Sequence, residues 1–357
     1  MEFLKKIDPF IFFPISIIFS LGELTLFSID INYFKSQLIY FFIGFVIYLL
    51  LTSFDSEVFK KFSLLGYIAS IILLVLTLFI GRVVRGSSRW LYIGNLGIQP
   101  SELVKPLLVI FFAYLATKPF DNLIGFLRYL FLLILPFFLI FKQPDLGSTL
   151  VVGISGIVIA LFSGIKILYL ILVFLGGGIA LPIFWRFLKN YQKTRITSFL
   201  NPFADPLGSG YHLIQSMISV GSGGFLGRGL GEGTQGQLKF LPEKHTDFIF
   251  ASLAEQLGFL GSVILLTAYF FFLLRILFII KSTRDKFDFL TSIGIFMIFF
   301  FQFFINIGMN LVILPITGVT LPFVSAGGSS LLGSFICLAI IQCINIRRND
   351  RKFFEIK

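Results

Sequence analysis

Charge is scarce in this sequence. Asp, Glu, Lys and Arg make up 13% of its 357 residues, where ordinary globular chains carry about 25%. Set beside 57% hydrophobic residues and a mean hydropathy of +0.95, that shortage excludes a water-soluble globule. Cysteine is nearly absent as well. Cys337 and Cys343 lie six positions apart in the last apolar run, about 240° around a helix, so they face apart. A disulfide between them is excluded on geometry, and neither has a metal-ligand neighbour. No small-residue cleavage site follows the first apolar run, which has only Lys5 and Lys6 before it. It reads as a retained span and not as a signal peptide. The net charge of +11 is scattered through loops, so its counterparts are anionic lipid headgroups and not nucleic acid.

What is there, in quantity, is apolar helix. The expected fold class is an all-α polytopic membrane protein, a single domain over residues 1–357. It has about ten spans, on the rule that about 20 apolar residues cross the hydrocarbon core. The expected spans are 9–28, 36–53, 62–80, 101–117, 124–141, 146–165, 167–186, 248–274, 288–312 and 321–346. The long uncharged run from Phe289 to Ile346 is divided by Pro315, Gly318 and Pro322. With both termini cytoplasmic, every inner loop carries cations, among them Lys60, Lys61, Lys118, Arg128, Lys166, Arg275 and Lys281, as the positive-inside rule requires. The short cluster Arg82, Arg85, Arg89 falls outside. Either the topology is locally inverted there or those arginines serve an anionic ligand, and the second reading is preferred.

Four polar patches face outward. In the first, Gly81 to Lys105, Ser101 can cap a helix whose first turn holds Glu102, with Lys105 on the same face. An intrahelical ion pair explains that spacing as well as a functional pair does, and Trp90 suits an interface anchor. In the second, KQPDLGST, Asp145 follows Pro144 and reads equally as a helix-start carboxylate. The third is the long loop from Phe187 to Asp247. Its glycines at 221, 223, 224, 227, 229, 231 and 233 would let backbone approach a ligand and offer amides to an anion. It also carries Lys189 and Lys239, and it lacks the lysine–hydroxyl ending of a nucleotide loop. The fourth, Thr317 to Ser330, ends in SAGGSS, either a helix-breaking turn or a hydroxyl-rich lining.

The third patch runs into LPEKHTDFIFASLAEQLG, Leu241 to Gly258, and there Asp247 stands where a loop enters the membrane. An unpaired carboxylate at that depth costs several kcal/mol, so it is compensated or used. Ala251, Ala254, Glu255 and Gly258 follow on roughly one helical face. Small residues there mean close helix packing, and two acids on the same stripe suit a cavity; both readings stand. His245, one of two histidines, reads first as a hydrogen-bonding interface residue.

Taken together and in order, RWLYIG…QPSELVK, QPDLGSTL, YQKTRITSFLNPFADPLGSGYH, the GSGG…GTQ loop, LPEKHTDFIFASLAEQLGFLG and GMNLVILPITGVTLPFVSAGGSS resemble the SEDS family, whose members include RodA, FtsW and SpoVE. The blocks run from Arg89 to Ser330, and the long loop with its GTQ resembles RodA more than FtsW. Gln256 stands where the family more often has a second glutamate. The resemblance implies a peptidoglycan glycosyltransferase. Such a protein polymerises lipid II at the outer face of the cytoplasmic (inner) membrane, for elongation or septal synthesis. It works with a class B penicillin-binding protein among the proteins of the elongation or division complex.

It also implies that Asp247 is the catalytic residue and that Glu102, Lys105 and Asp145 surround its cavity. Arg89, Lys105 and Arg195 are candidates for the pyrophosphate, and Lys244, His245, Ser325 and Ser329 complete the expected substrate-binding set. No metal motif is legible. A divalent cation (Mg or Mn) enters only by inference from the pyrophosphate. Three rivals carry other expectations. A lipid II flippase would need a polar path through the bilayer, yet apart from Glu23 and the Glu255 region the ionisable residues sit at span ends. An ion-coupled transporter would be supported by an internal repeat, and none is legible. In a non-enzymatic scaffold Asp247 would be structural.

Overall fold

A computed structural model describes residues 8–84, 87–94, 96–118, 120, 123–188, 190–233 and 240–355. Lys5, Lys6, Arg85, Lys189, Lys239, Lys357 and the Thr234–Gln235 end of the glycine-rich stretch lie outside the described residues. The long apolar runs are helices, because backbone in hydrocarbon must satisfy its own amides. Helices α1 (Pro9–Ile29) and α2 (Ile31–Leu51) are separated by Asp30 alone. Asp30 closes α1 and accepts the Asn32 amide at 2.8 Å, which caps α2 and starts it ahead of the expected residue 36. The short α3 (Ser56–Lys61) and the spans α4 (Ser63–Ile80), α5 (Pro100–Ala116), α6 (Leu123–Lys142), α7 (Leu146–Phe162) and α8 (Ile167–Phe187) follow. The long loop holds two helices, α9 (Asn190–Leu200) and α10 (Tyr211–Ser222), before α11 (Ile249–Ser282), α12 (Lys286–Asn310) and α13 (Gly328–Glu355).

Among the described residues, seven helices are long and apolar enough to cross a membrane: α1, α2, α4, α6, α11, α12 and the Gly328–Arg348 part of α13. The three remaining expected spans correspond to α5, α7 and α8. The chain is a multi-pass helical membrane protein. One large apolar core runs through the bundle; α1 packs on α11, α2 on α13, and α12 on α5 and α7. At the end of the bundle away from Asp247, two hubs join the helix ends. Asp8 accepts from Arg275 at 2.6 Å and from Asn345 at 2.8 Å, and Arg347 bridges Glu57 at 2.7 Å and Asp288 at 3.4 Å.

Three features depart from the sequence reading. The Arg82–Ile98 segment is a three-stranded antiparallel sheet, β1 (Arg82–Val84), β2 (Ser87–Ile93) and β3 (Leu96–Ile98), with Arg82 opposite Trp90 and Leu91 opposite Ile98. Its Trp-Leu-Tyr-Ile run is rich in strand-forming side chains. The last span begins at Gly328 and not at 321, because Leu321, Phe323 and Val324 are buried in a non-helical segment that apolar run length cannot distinguish from helix.

The third departure is α11. Its 34 residues would measure about 51 Å as one rod, well beyond a hydrocarbon core of about 30 Å. It is broken at Gly258, where φ is 67° and ψ is −161°. Such a break orphans backbone groups, and the glycine-rich stretch satisfies them. Arg228 and Gly229 donate amides to the Glu255 and Gln256 carbonyls at 2.9 and 3.1 Å. Phe259 and Leu260 donate to the Gly224 and Phe225 carbonyls at 2.9 and 3.1 Å. At Gly227, with φ 84°, a Cβ would overlap the Gln256 carbonyl and the Gly258 amide. The Arg228 and Gly229 amides are thus spent on the helix break and are not available to an anion. The stripe of small residues is likewise a packing face. Ala251, Ala254 and Glu255 are buried, and a Cβ on Gly233 would stand 2.7 Å from the Glu255 carboxyl carbon.

Candidate active site

A cavity of about 220 Å³ opens where the sheet, the 241–247 turn and the 317–330 segment meet, lined among others by Asp247, Glu243, Arg89, Arg195, Gln99 and Ser329. Each wall is built from local chemistry. The 241–247 turn is anchored by Leu241 and Phe248, buried in a small cluster with Ala251. It folds onto one acceptor, since the Thr246 and Phe248 amides both donate to the Glu243 carbonyl, at 3.1 and 3.2 Å. That fold sets Glu243 and Asp247 on the same cavity.

The 317–330 segment is stitched to this turn. Ser325 donates its hydroxyl to the Thr246 carbonyl at 2.7 Å and accepts the Leu321 amide at 2.8 Å. The Ala326 amide reaches the His245 carbonyl at 2.8 Å. Gly318 lies between the two charges that matter most. A methyl group there would stand 3.6 Å from Asp247 Oδ2 and 4.0 Å from Arg89 Nη1. Strand β2 delivers Arg89, whose guanidinium donates to the Gln143 carbonyl at 3.1 Å and to the Pro144 carbonyl. Helix α9 delivers Arg195, which donates to the Ile316 carbonyl at 3.3 Å.

Of the residues expected from sequence, Asp247, Arg89, Arg195 and Ser329 line this cavity, and Trp90 lines it too. Ser329 accepts the Gln99 amide at 2.9 Å. The other expected substrate-binding residues are placed elsewhere. Glu102 and Lys105 form a 2.6 Å ion pair, both side chains under 10% exposed, around a separate pocket of about 10 Å³ next to Gln302 and Cys337. Asp145 is 1% exposed and caps α7. Its Oδ1 accepts the Ser148 amide at 3.1 Å and its Oδ2 accepts from Ser101 and the Gln99 side chain, each at 3.0 Å. His245 stacks on Tyr33 with ring centroids 4.0 Å apart, and the Lys244 carbonyl accepts from Ser252. The Ser325 hydroxyl is engaged with backbone. Glu102, Lys105, Asp145 and Ser325 shape the site from behind its walls, because their polar side-chain atoms already have partners within the protein, whereas Lys244 and His245 are half-buried on the 241–247 turn.

Burial alone would raise the Asp145 carboxyl, but Arg89, the Ser148 amide, Lys105 and Ser101 together hold it below the ordinary carboxylate value of 3.8. Arg89 therefore faces two carboxylates, Asp145 behind it and Asp247 across Gly318. On α10, His212 stacks against Phe248 at 6.3 Å. Burial first, then Arg195, push its imidazole below the ordinary 6.5, against a smaller upward pull from Glu243. A depressed folded value means that the unfolded chain takes the proton first as pH falls. The stability tied to a neutral His212 is thus fully present above pH 6.5 and declines below it. Thermal unfolding at about pH 7.5 and about pH 5.5 should show a smaller acid loss for His212→Gln than for wild type.

Sequence reasoning missed Glu243, Gln99, Asn306 and Asn310. The first two stand inside quoted motifs, and only tertiary folding turns them inward. The asparagines carried a signal, two amides four residues apart in an otherwise apolar run, FFINIGMN. Polar side chains inside a span mark packing or function.

A family model described as "Cell cycle protein", of the FtsW, RodA and SpoVE type, matches residues 8–351. The sequence is 42% identical over 270 residues to peptidoglycan glycosyltransferase MrdB of Escherichia coli strain K12, covering 74% of this chain and 72% of that one. A chain of a peptidoglycan synthase complex, solved for its coordination of polymerization and crosslinking, superposes with TM-score 0.83 and 31% identity over 96% of this chain and 98% of its own. The crystal structure of Thermus thermophilus rod shape determining protein RodA superposes with TM-score 0.73 and 27% identity, covering 96% of this chain and 97% of that one.

Proposed function

Because the chain belongs to the FtsW/RodA/SpoVE family, the SEDS proteins, we infer that it is a peptidoglycan glycosyltransferase that joins lipid II units into glycan strands. One observation carries this reading. A carboxylate, Asp247, and a guanidinium, Arg89, meet across Gly318 in a cavity that also holds Arg195. A glycosyl transfer from a lipid diphosphate needs that pair of charges. Asp247 takes the proton from the 4-hydroxyl of the acceptor sugar as its oxygen bonds to the donor's anomeric carbon. The bond from that carbon to the diphosphate breaks, and its electron pair leaves on the diphosphate, which Arg89 and Arg195 stabilise. A single displacement of this kind inverts the anomeric centre.

Among the described residues, no group of three or more His, Cys, Asp or Glu side chains could hold a metal. Mg2+ needs no such group, since it takes one or two carboxylates together with substrate phosphates. Glu243 fits that role, leaving Asp247 for the proton, and a divalent cation there would add positive charge at the leaving diphosphate.

The positive-inside pattern supports a site at the outer face of the cytoplasmic membrane with both termini inside. The complex in which a relative was solved supports a class B penicillin-binding protein as partner, within the elongation or division machinery. The flippase reading is weaker, because the charges that line the cavity, Asp247, Glu243, Arg89 and Arg195, gather at one end of the bundle instead of along a path through it. Purified chain in vesicles with its transpeptidase partner and lipid II is the test. Glycan strands are expected; lipid II crossing the bilayer unpolymerised would overturn the enzyme reading.

A further inference from the structure

A base must be aimed as well as present, and Asp247 sits one residue before the N-cap of α11. That helix begins without a cap of its own. Phe248 occupies the cap position, and no side chain of its segment bonds the first-turn amides. The acceptor comes from α12. Asn310 Oδ1 accepts the Ala251 amide at 2.9 Å, while its Nδ2 donates to the Asp247 carbonyl at 2.9 Å. Asn306 Nδ2 donates to the same carbonyl at 3.2 Å and to the Val319 carbonyl at 2.7 Å. Both asparagines are wholly buried, and four-residue spacing puts them on one face of α12. The bonding fixes which way each amide points: the Nδ2 atoms meet carbonyls, which only accept, and Oδ1 of Asn310 meets an N–H, which only donates.

Two consequences follow from this bonding. The Asp247 carbonyl accepts from two fixed donors, so the peptide plane after Asp247, and with it the direction of its Cα–Cβ bond, is held from both sides. Val319 follows Gly318, the residue between Asp247 and Arg89. Asn306 therefore joins the backbone of the base to the opposite wall and sets the spacing between them.

We propose that Asn306 and Asn310 are positioning residues that aim the Asp247 carboxylate at the reacting hydroxyl through its backbone carbonyl. This rests on the reading of Asp247 as the base. Neither asparagine touches substrate; both act through Asp247.

The discriminating variant is Asn306→Leu. It is close in size, introduces no charge and leaves Asn310 to cap α11, but it withdraws one donor from the Asp247 carbonyl together with the tie to Val319. Wild type, Asn306→Leu, Asn310→Ala and Asp247→Asn are compared in the vesicle assay. Turnover, KM, the stoichiometry of bound lipid II and Tm are measured for each. Asn306→Leu is expected to keep full lipid II stoichiometry and KM with a modest drop in Tm, because a buried carbonyl loses its donor, while turnover falls about 10²-fold, the loss that a misplacement of about 1 Å can cause. Asn310→Ala should lose turnover in the same way, with a larger drop in Tm because α11 is uncapped. Wild-type turnover in Asn306→Leu, with Asp247→Asn inactive, overturns the proposal and leaves the base in place. Bound lipid II falling in step with turnover also overturns it, because the role is then structural. Wild-type polymerisation by Asp247→Asn removes the base reading itself, and this proposal with it.

Discussion

Asp247→Asn is expected to lower polymerisation about 10²- to 10⁴-fold, the range that a general base contributes, while lipid II still binds. The substitution is nearly isosteric. It leaves the Asp247 carbonyl in the clamp of Asn306 and Asn310 and leaves Arg89 and Arg195 on the cavity. What it removes is the capacity to take a proton. Glycan length on gels, together with equilibrium binding of lipid II, separates the two effects. If the variant polymerises at wild-type rates, attention passes to Glu243, the other carboxylate on this cavity, because Glu102 and Asp145 are buried behind its walls with their oxygens engaged.

Lys105→Met should cost about 3–5 kcal/mol of stability, the usual result of stranding one member of a buried ion pair. Glu102 would keep weak contacts from Ser148 and Gln302, each at 3.4 Å, but it would lose the cation 2.6 Å away. The double variant Glu102→Gln, Lys105→Met strands no charge and should recover most of that loss. Denaturant or thermal unfolding in detergent reads the difference. The result also separates the two roles that spacing alone allowed for the pair. If Lys105→Met keeps its stability and loses only polymerisation, the lysine acts on substrate and is no structural partner of Glu102.

The spans were legible because hydrophobic length is a local property that the bilayer enforces; expected boundaries such as 62–80 and 124–141 lie within a residue of α4 and α6. Asp247 was legible for the same reason, as a carboxylate where apolar sequence resumes. What was not legible depends on partners distant in the chain. Nothing near Gly258 announces that residues 224–229 will supply its missing hydrogen bonds. Glu102, Lys105 and Asp145 offer a structural and a functional reading at equal standing in the sequence, and only three-dimensional packing shows the partners that bury them, Glu102 on Lys105 and Asp145 on Ser101, Gln99 and Ser148. The sheet was overlooked because its short strands stand among long apolar helices that dominate any hydropathy reading.

The segment 249–257 has a mechanical consequence. A helix this short is marginal in isolation, since helices below about 12–15 residues rarely hold themselves together. It is fastened at one end by an asparagine from α12 and at the other by a glycine clip from the loop before it. It behaves as a strut whose stiffness is borrowed from its two mountings, and Asp247 is bolted to its tip. Loosening the clip near Gly227 would therefore be felt at the carboxylate, at the far end of the strut, with no side chain of the cavity altered.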